Sequence, residues 1–91
     1  MINFKGDNTM EKLRTEMLNK IDETIKMTND VLEQVKSNKD AASRCIELKS
    51  ELIGLRYRVE FVVDEQLEKV CSLINLDNAN ALLNQILTTE E

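Results

Sequence analysis

The chain has 91 residues and a net charge of −5, enough for one thin domain. A domain of this size buries only about 60–65% of the surface its unfolded chain exposes. Proline, histidine and tryptophan are absent and glycine occurs only at Gly6 and Gly54, which disfavours turn-rich sheet folds and removes imidazole as base or metal ligand. The positions go instead to Leu, Ile, Glu, Lys, Met and Asn, mostly good helix formers, so the composition predicts an all-α protein.

Residues 1–8 read as a lead-in whose only apolar groups are Ile2 and Phe4. Asn8 followed by Glu11 predicts a capping box that opens the first helix, about 9–36. Met17, Thr24 and Val31 repeat at heptad spacing, as do Ile21, Thr28 and Val35, with Leu18, Ile25 and Leu32 beside them. Three adjoining lines make a stripe too broad for a two-stranded seam, so this helix is expected to meet more than one neighbour. Ser37-Asn38-Lys39-Asp40 then breaks the phase, with Asn38 suited to end the first helix and Asp40 to cap the next. A continuous helix that absorbs the interruption is the competing reading.

The second helix, about 41–74, carries the most regular pattern. Cys45, Leu48, Leu52, Leu55, Val59, Val62 and Gln66 alternate spacings of three and four, an a/d seam over three heptads, widened by Ile46, Ile53, Val63, Leu67, Val70 and Ile74. Such a helix would be about 50 Å long. Asn75 suits a C-cap and Asp77 an N-cap for a short third helix, about 78–87, with Leu82, Leu83, Ile86 and Leu87 apolar. Residues 88–91 read as a frayed acidic tail.

Two long helices joined by a short turn predict an antiparallel helical hairpin plus a short third helix, a coiled-coil-like bundle. Ten residues of third helix cover about a third of the hairpin, so oligomerisation, most simply as a homodimer, is expected to complete the core along the seam Cys45, Leu48, Leu52, Leu55, Val59 and Val62.

The candidate chemistry is sparse. No glycine-rich phosphate loop and no Glu-x-x-His pair exists, and the reading implies no cofactor, no metal and no enzyme activity. Cys45 and Cys71 read as small buried hydrophobes, with a redox pair across a dimer as the alternative. Arg44, Lys49, Arg56 and Arg58 surround Tyr57, either as a contact for an acidic partner or as a solvated face with Arg56 paired to Glu60. Gly54 reads as a point of close helix approach, with a hinge as the alternative. Thr24, Thr28 and Gln66 on apolar lines are candidates to fix register.

Charge is unevenly spread: residues 59–91 hold Lys69 against seven acidic groups, and Glu60, Asp64, Glu65 and Glu68 fall on one side of the expected helix. This end should repel nucleic acid and anionic membranes. Arg56, Tyr57, Arg58, Glu60, Asp64, Glu65 and Glu68 are therefore the candidate partner-binding residues. The chain has no apolar stretch that would span a bilayer, and Met1–Asp7 lacks a signal-peptide core, which with two unpaired cysteines predicts a cytoplasmic protein, in the host cytoplasm if viral. Its Asn, Lys and Ile content is what an AT-rich genome encodes, as in low-GC bacteria or their phages. The expected function is a non-enzymatic assembly, adaptor or chaperone-like accessory factor that binds itself and another protein. The alternative is an acidic inhibitor that blocks a protein target such as a nucleic-acid-binding or defence factor.

Overall fold

A computed structural model describes the backbone of residues 2–90 and the side chains of residues 9–88. It contains four α-helices: α1 (Ile2–Val35), α2 (Lys39–Phe61), α3 (Asp64–Leu73) and α4 (Leu76–Glu90). No strand occurs among the described residues. The first helix begins at Ile2, not at the expected Thr9, so Asn8 lies inside it and does not open it. The last runs to Glu90, into the expected frayed tail, and the side chains of residues 1–8 and 89–91 lie outside the described residues.

The turn between α1 and α2 is a hairpin of residues 36–38, which decides against the continuous helix. Asn38 does the work at both ends. Its N–H donates to the Val35 carbonyl at 2.8 Å, and its side-chain oxygen accepts from the Asp40 and Ala41 N–H groups at 3.1 and 3.2 Å. The cap of α2 is thus Asn38, and Asp40 serves instead as an acidic group in the first turn, where the helix dipole favours it.

The expected long second helix is two helices. Val62 and Val63 take extended backbone (ψ 143° and 152°) with neither proline nor glycine nearby, and the chain reverses there. Arg14 of α1 reaches across to this break. Its guanidinium donates to the Val59 carbonyl at 2.5 Å, to the Glu60 carbonyl at 3.1 Å and to the Asp64 carboxylate at 2.7 Å. Carbonyls that lose their partners where a helix ends are thereby satisfied from another element. Asp64 and Glu65 then stand in the first turn of α3, again on the favourable side of the dipole.

From the break, α3 and α4 run back along the hairpin as one arm. Ile74 and Leu76 stand beside Met17 and Thr24, Ala79 and Leu82 beside Leu48 and Leu52, and Ile86 beside Asn38 and Ala41. Asn75 joins the two segments, its side-chain oxygen accepting the Asp77 N–H at 3.0 Å. Asn75 thus stands just before α4 in the capping role expected of Asp77, which lies in the first turn, and Ile74 is the C-cap of α3. The fold is a three-arm bundle, 56 × 17 × 15 Å, whose third arm is kinked.

This arm corrects the expectation that a short third helix leaves most of the hairpin uncovered. The core takes Ile21, Val31 and Val35 from α1, Ala41, Cys45, Leu48, Leu52 and Val59 from α2, Leu67 and Cys71 from α3, and Ala79, Leu83 and Ile86 from α4. Thr24 and Thr28 are buried among them, with hydroxyls that donate to the carbonyls of Lys20 (3.0 Å) and Thr24 (2.8 Å). They are satisfied within their own helix, so no cross-helix bond lets them fix register. Gln66 is exposed and leaves the seam.

Candidate interaction surface

α2 carries two apolar stripes. The inner one is the sequence seam: Cys45, Leu48, Leu52 and Val59 are buried, and Leu55 and Val62 are half-buried at its edge. These six side chains pack inside one chain against α1 and the third arm. Ile46, Ile53 and Val63, expected to widen the seam, are exposed instead.

The outer stripe lies on the opposite side, since residues advance by about 100° per position and Ser50 falls about 160° round the helix from Leu52. It comprises Ile46, Ile53, Tyr57 and Phe61, which are 54, 38, 59 and 72% exposed, with Ser43, Ser50 and Gly54 between them. The rings of Tyr57 and Phe61 stack at 6.2 Å with planes 15° apart. A Cβ placed on Gly54 would meet nothing within 4 Å. Gly54 therefore allows no close approach inside the chain, which overturns that expectation for the hairpin.

The charged candidates divide. Arg56 donates to Asp22 of α1 at 2.7 Å and to Glu60 at 2.6 Å, and these carboxylates, Asp22 foremost, hold its guanidinium more firmly protonated than usual. Asp64 is held by Arg14. Arg56 and Asp64 thus tie helices together, while the Glu60 carboxylate pairs within α2. Tyr57, Arg58, Glu65 and Glu68 are exposed, but the first two belong to α2 and the last two to α3. The break at Val62–Val63 means that Glu60, Asp64, Glu65 and Glu68 do not share one straight helix side.

Both cysteines are free and buried, on separate helices, and burial pushes both thiols up; Arg14 partly offsets this at Cys71. Thiols held neutral and away from solvent are poor nucleophiles. Among the described residues no group of three or more His, Cys, Asp or Glu side chains could hold a metal ion. A shallow cleft of about 400 Å³ lies between α1 and the α3–α4 junction, lined by Met17, Lys20, Met27, Asp77 and Asn80. Among the described residues, the Asn80 side-chain oxygen is buried without a hydrogen-bond partner.

The outer stripe was legible in part. Of its four large side chains, Tyr57 is a sequence candidate for partner binding, and Ile46, Ile53 and Phe61 are not. Their spacing of seven, four and four, interleaved with small residues and out of phase with the seam, is the signal for a second face. No described helix is long and apolar enough to cross a membrane. No protein-family model matches the chain, and neither does any curated protein or solved structure.

Proposed function

We propose that the protein is a non-enzymatic helical interaction module, acting in the cytoplasm as an assembly, adaptor or chaperone-like accessory factor. The observation that carries this reading is the outer stripe of α2: two aromatic and two aliphatic side chains in line on a face that nothing among the described residues covers. Contiguous exposed apolar patches are one mark of protein contact sites. The buried, neutral thiols and the absence of histidine support a role without nucleophilic or general-base chemistry.

The acidic-inhibitor alternative has less support. Two carboxylates of the acidic run, Glu60 and Asp64, are engaged by arginines of this chain, leaving Glu65 and Glu68 to present charge.

The test is affinity capture from the native host with the wild-type chain and with Ile53→Arg. Capture of a structural or morphogenetic protein by the wild type, lost in Ile53→Arg while helical melting is retained, is the expected result. A nuclease or transcription factor captured equally by both would favour the inhibitor reading and overturn the first.

A further inference from the structure

We propose that the outer stripe of α2 is occupied by the same stripe of a second copy, antiparallel, with a two-fold axis close to residue 52. The proposal rests on the reading of this face as an interaction surface and commits it to one partner.

The first argument is self-complementarity. Under antiparallel pairing, residues whose numbers sum to about 104 lie opposite one another. Ser50 then faces the partner copy's Gly54, Ile46 meets Tyr57, and Ser43 meets Phe61, so each large side chain finds a large or small counterpart and the two backbones approach where side chains are smallest. Ile53 meets its own copy beside the axis. The same register sets Glu47 opposite Arg58 on one flank, twice by symmetry. Both are exposed, and among the described residues neither makes an ion pair within the chain. Glu51 lies about 40° further round the helix than Glu47, toward solvent. A parallel two-fold pairing would carry this flank of the second copy to the other side of the interface, so Glu47 and Arg58 would not meet. Charge of this kind selects orientation more than it adds affinity.

The second argument is area. At about 150–250 Å² per large side chain, the exposed parts of Ile46, Ile53, Tyr57 and Phe61 come to roughly 400 Å². Two copies contribute about 800 Å², and the flanking Ser43, Glu47, Ser50 and Arg58 take the total past the roughly 1,000 Å² that a specific interface needs. The third argument is Gly54. A glycine inside a helix costs about 1 kcal/mol relative to alanine, and no contact among the described residues uses the space it leaves. Close approach of a second helix uses it.

The test is a charge swap read by sedimentation equilibrium at up to about 100 μM, a range in which micromolar association is visible. Glu47→Arg and Arg58→Glu are each expected to weaken self-association at least about tenfold, because each puts like charges together at two places. An equimolar mixture of the two variants restores every opposite-charge contact and should associate as wild type does. Both sites are exposed, so thermal melts of the monomers should match. A wild-type dimer indifferent to both substitutions, or a mixture no tighter than the variants alone, overturns the register. A wild-type chain that stays monomeric while Ile53→Arg still abolishes capture of a host protein overturns self-pairing and leaves the interaction surface standing. A monomer whose captures ignore Ile53→Arg overturns both.

Discussion

The inner and outer faces of α2 are built from similar residues and meet opposite fates. On the inner face Leu52 is 2% exposed within the shared core, beside Leu76, Ala79 and Leu82 of α4, whereas one residue along, Ile53 is 38% exposed. What separates them is the third arm. Any regular apolar line on a helix announces that something will cover it, but the identity of the cover lies elsewhere in the chain. Here α3 and α4 supply the cover for one face and nothing among the described residues supplies it for the other.

The sharpest way to break this contrast is at Leu52. Leu52→Asp should abolish cooperative unfolding altogether, because a lost leucine in a core costs about 2–5 kcal/mol and an unpaired buried carboxylate adds to it. Against the 5–15 kcal/mol of an ordinary small domain, that is most of the stability. Leu55→Asp, at the half-buried edge, should melt earlier than wild type but still cooperatively. A circular dichroism melt that ranks them the other way would reassign the inner face.

Next in size is Arg14. It joins α1 to the end of α2 and the start of α3, and hydrogen bonds involving a charged group are worth about 1.5–3 kcal/mol. Arg14→Met, which keeps the stem and removes the donors, should cost about 1–2 kcal/mol in a urea titration once partial exposure is allowed for. Asp64→Asn, which removes only the exposed ion pair, should cost less than about 1 kcal/mol. Equal losses would mean that the ion pair, and not the carbonyl contacts, holds the break.

Gly54 tests the outer face with a change of sign. Gly54→Ala should stabilise the monomer by roughly 0.5–1 kcal/mol, since the helix gains and the added methyl meets open space. A destabilised monomer would show that the space is occupied within the chain.

Alkaline pH separates the faces more gently. Burial holds the native thiols of Cys45 and Cys71 above the ordinary value of 9.0, so the unfolded chain ionises first. Their contribution is complete below pH 9 and declines as pH rises from there toward the native values. Cys45→Ala with Cys71→Ala should flatten that decline in a series of melts, and an unchanged slope would assign it to other groups. Smallest of all, Glu65→Ala on the solvated side of α3 should shift stability by no more than about ±0.5 kcal/mol.

The helices and one core face of each long arm could be read from spacing. Ile21, Thr24, Thr28, Val31 and Val35 fall on the lines expected of α1 and are all buried, and four of the six seam residues of α2 are too. The turn at Asn38 was legible for the same reason: its signals are local. The break at Val62–Val63 was not, because neither residue is a helix breaker and the group that stabilises it, Arg14, lies some fifty positions away. The pattern of three and four does not survive it: Gln66, the next seam position, is exposed, and the buried positions shift by one to Leu67 and Cys71, the one local trace of the break. Once the break is missed, the third arm is too short, the hairpin looks half bare, and the wrong face is left seeking a partner. Arg56 shows the same limit for the candidate site. Its i,i+4 partner Glu60 was readable, while Asp22 on another helix was not.

The reversal at Val62–Val63 also sets where the polypeptide enters and leaves. Two arms would return the chain to the side it came from. With a third arm, Thr9 and Thr88 stand toward opposite ends of a body 56 Å long, for Ile86 lies beside the Asn38 turn and Arg14 beside the far end of α2. The molecule is therefore a strut and not a clasp. Anything fused before α1 and after α4 is held apart by a stiff distance, and a pair of dyes placed at those two positions would report that span.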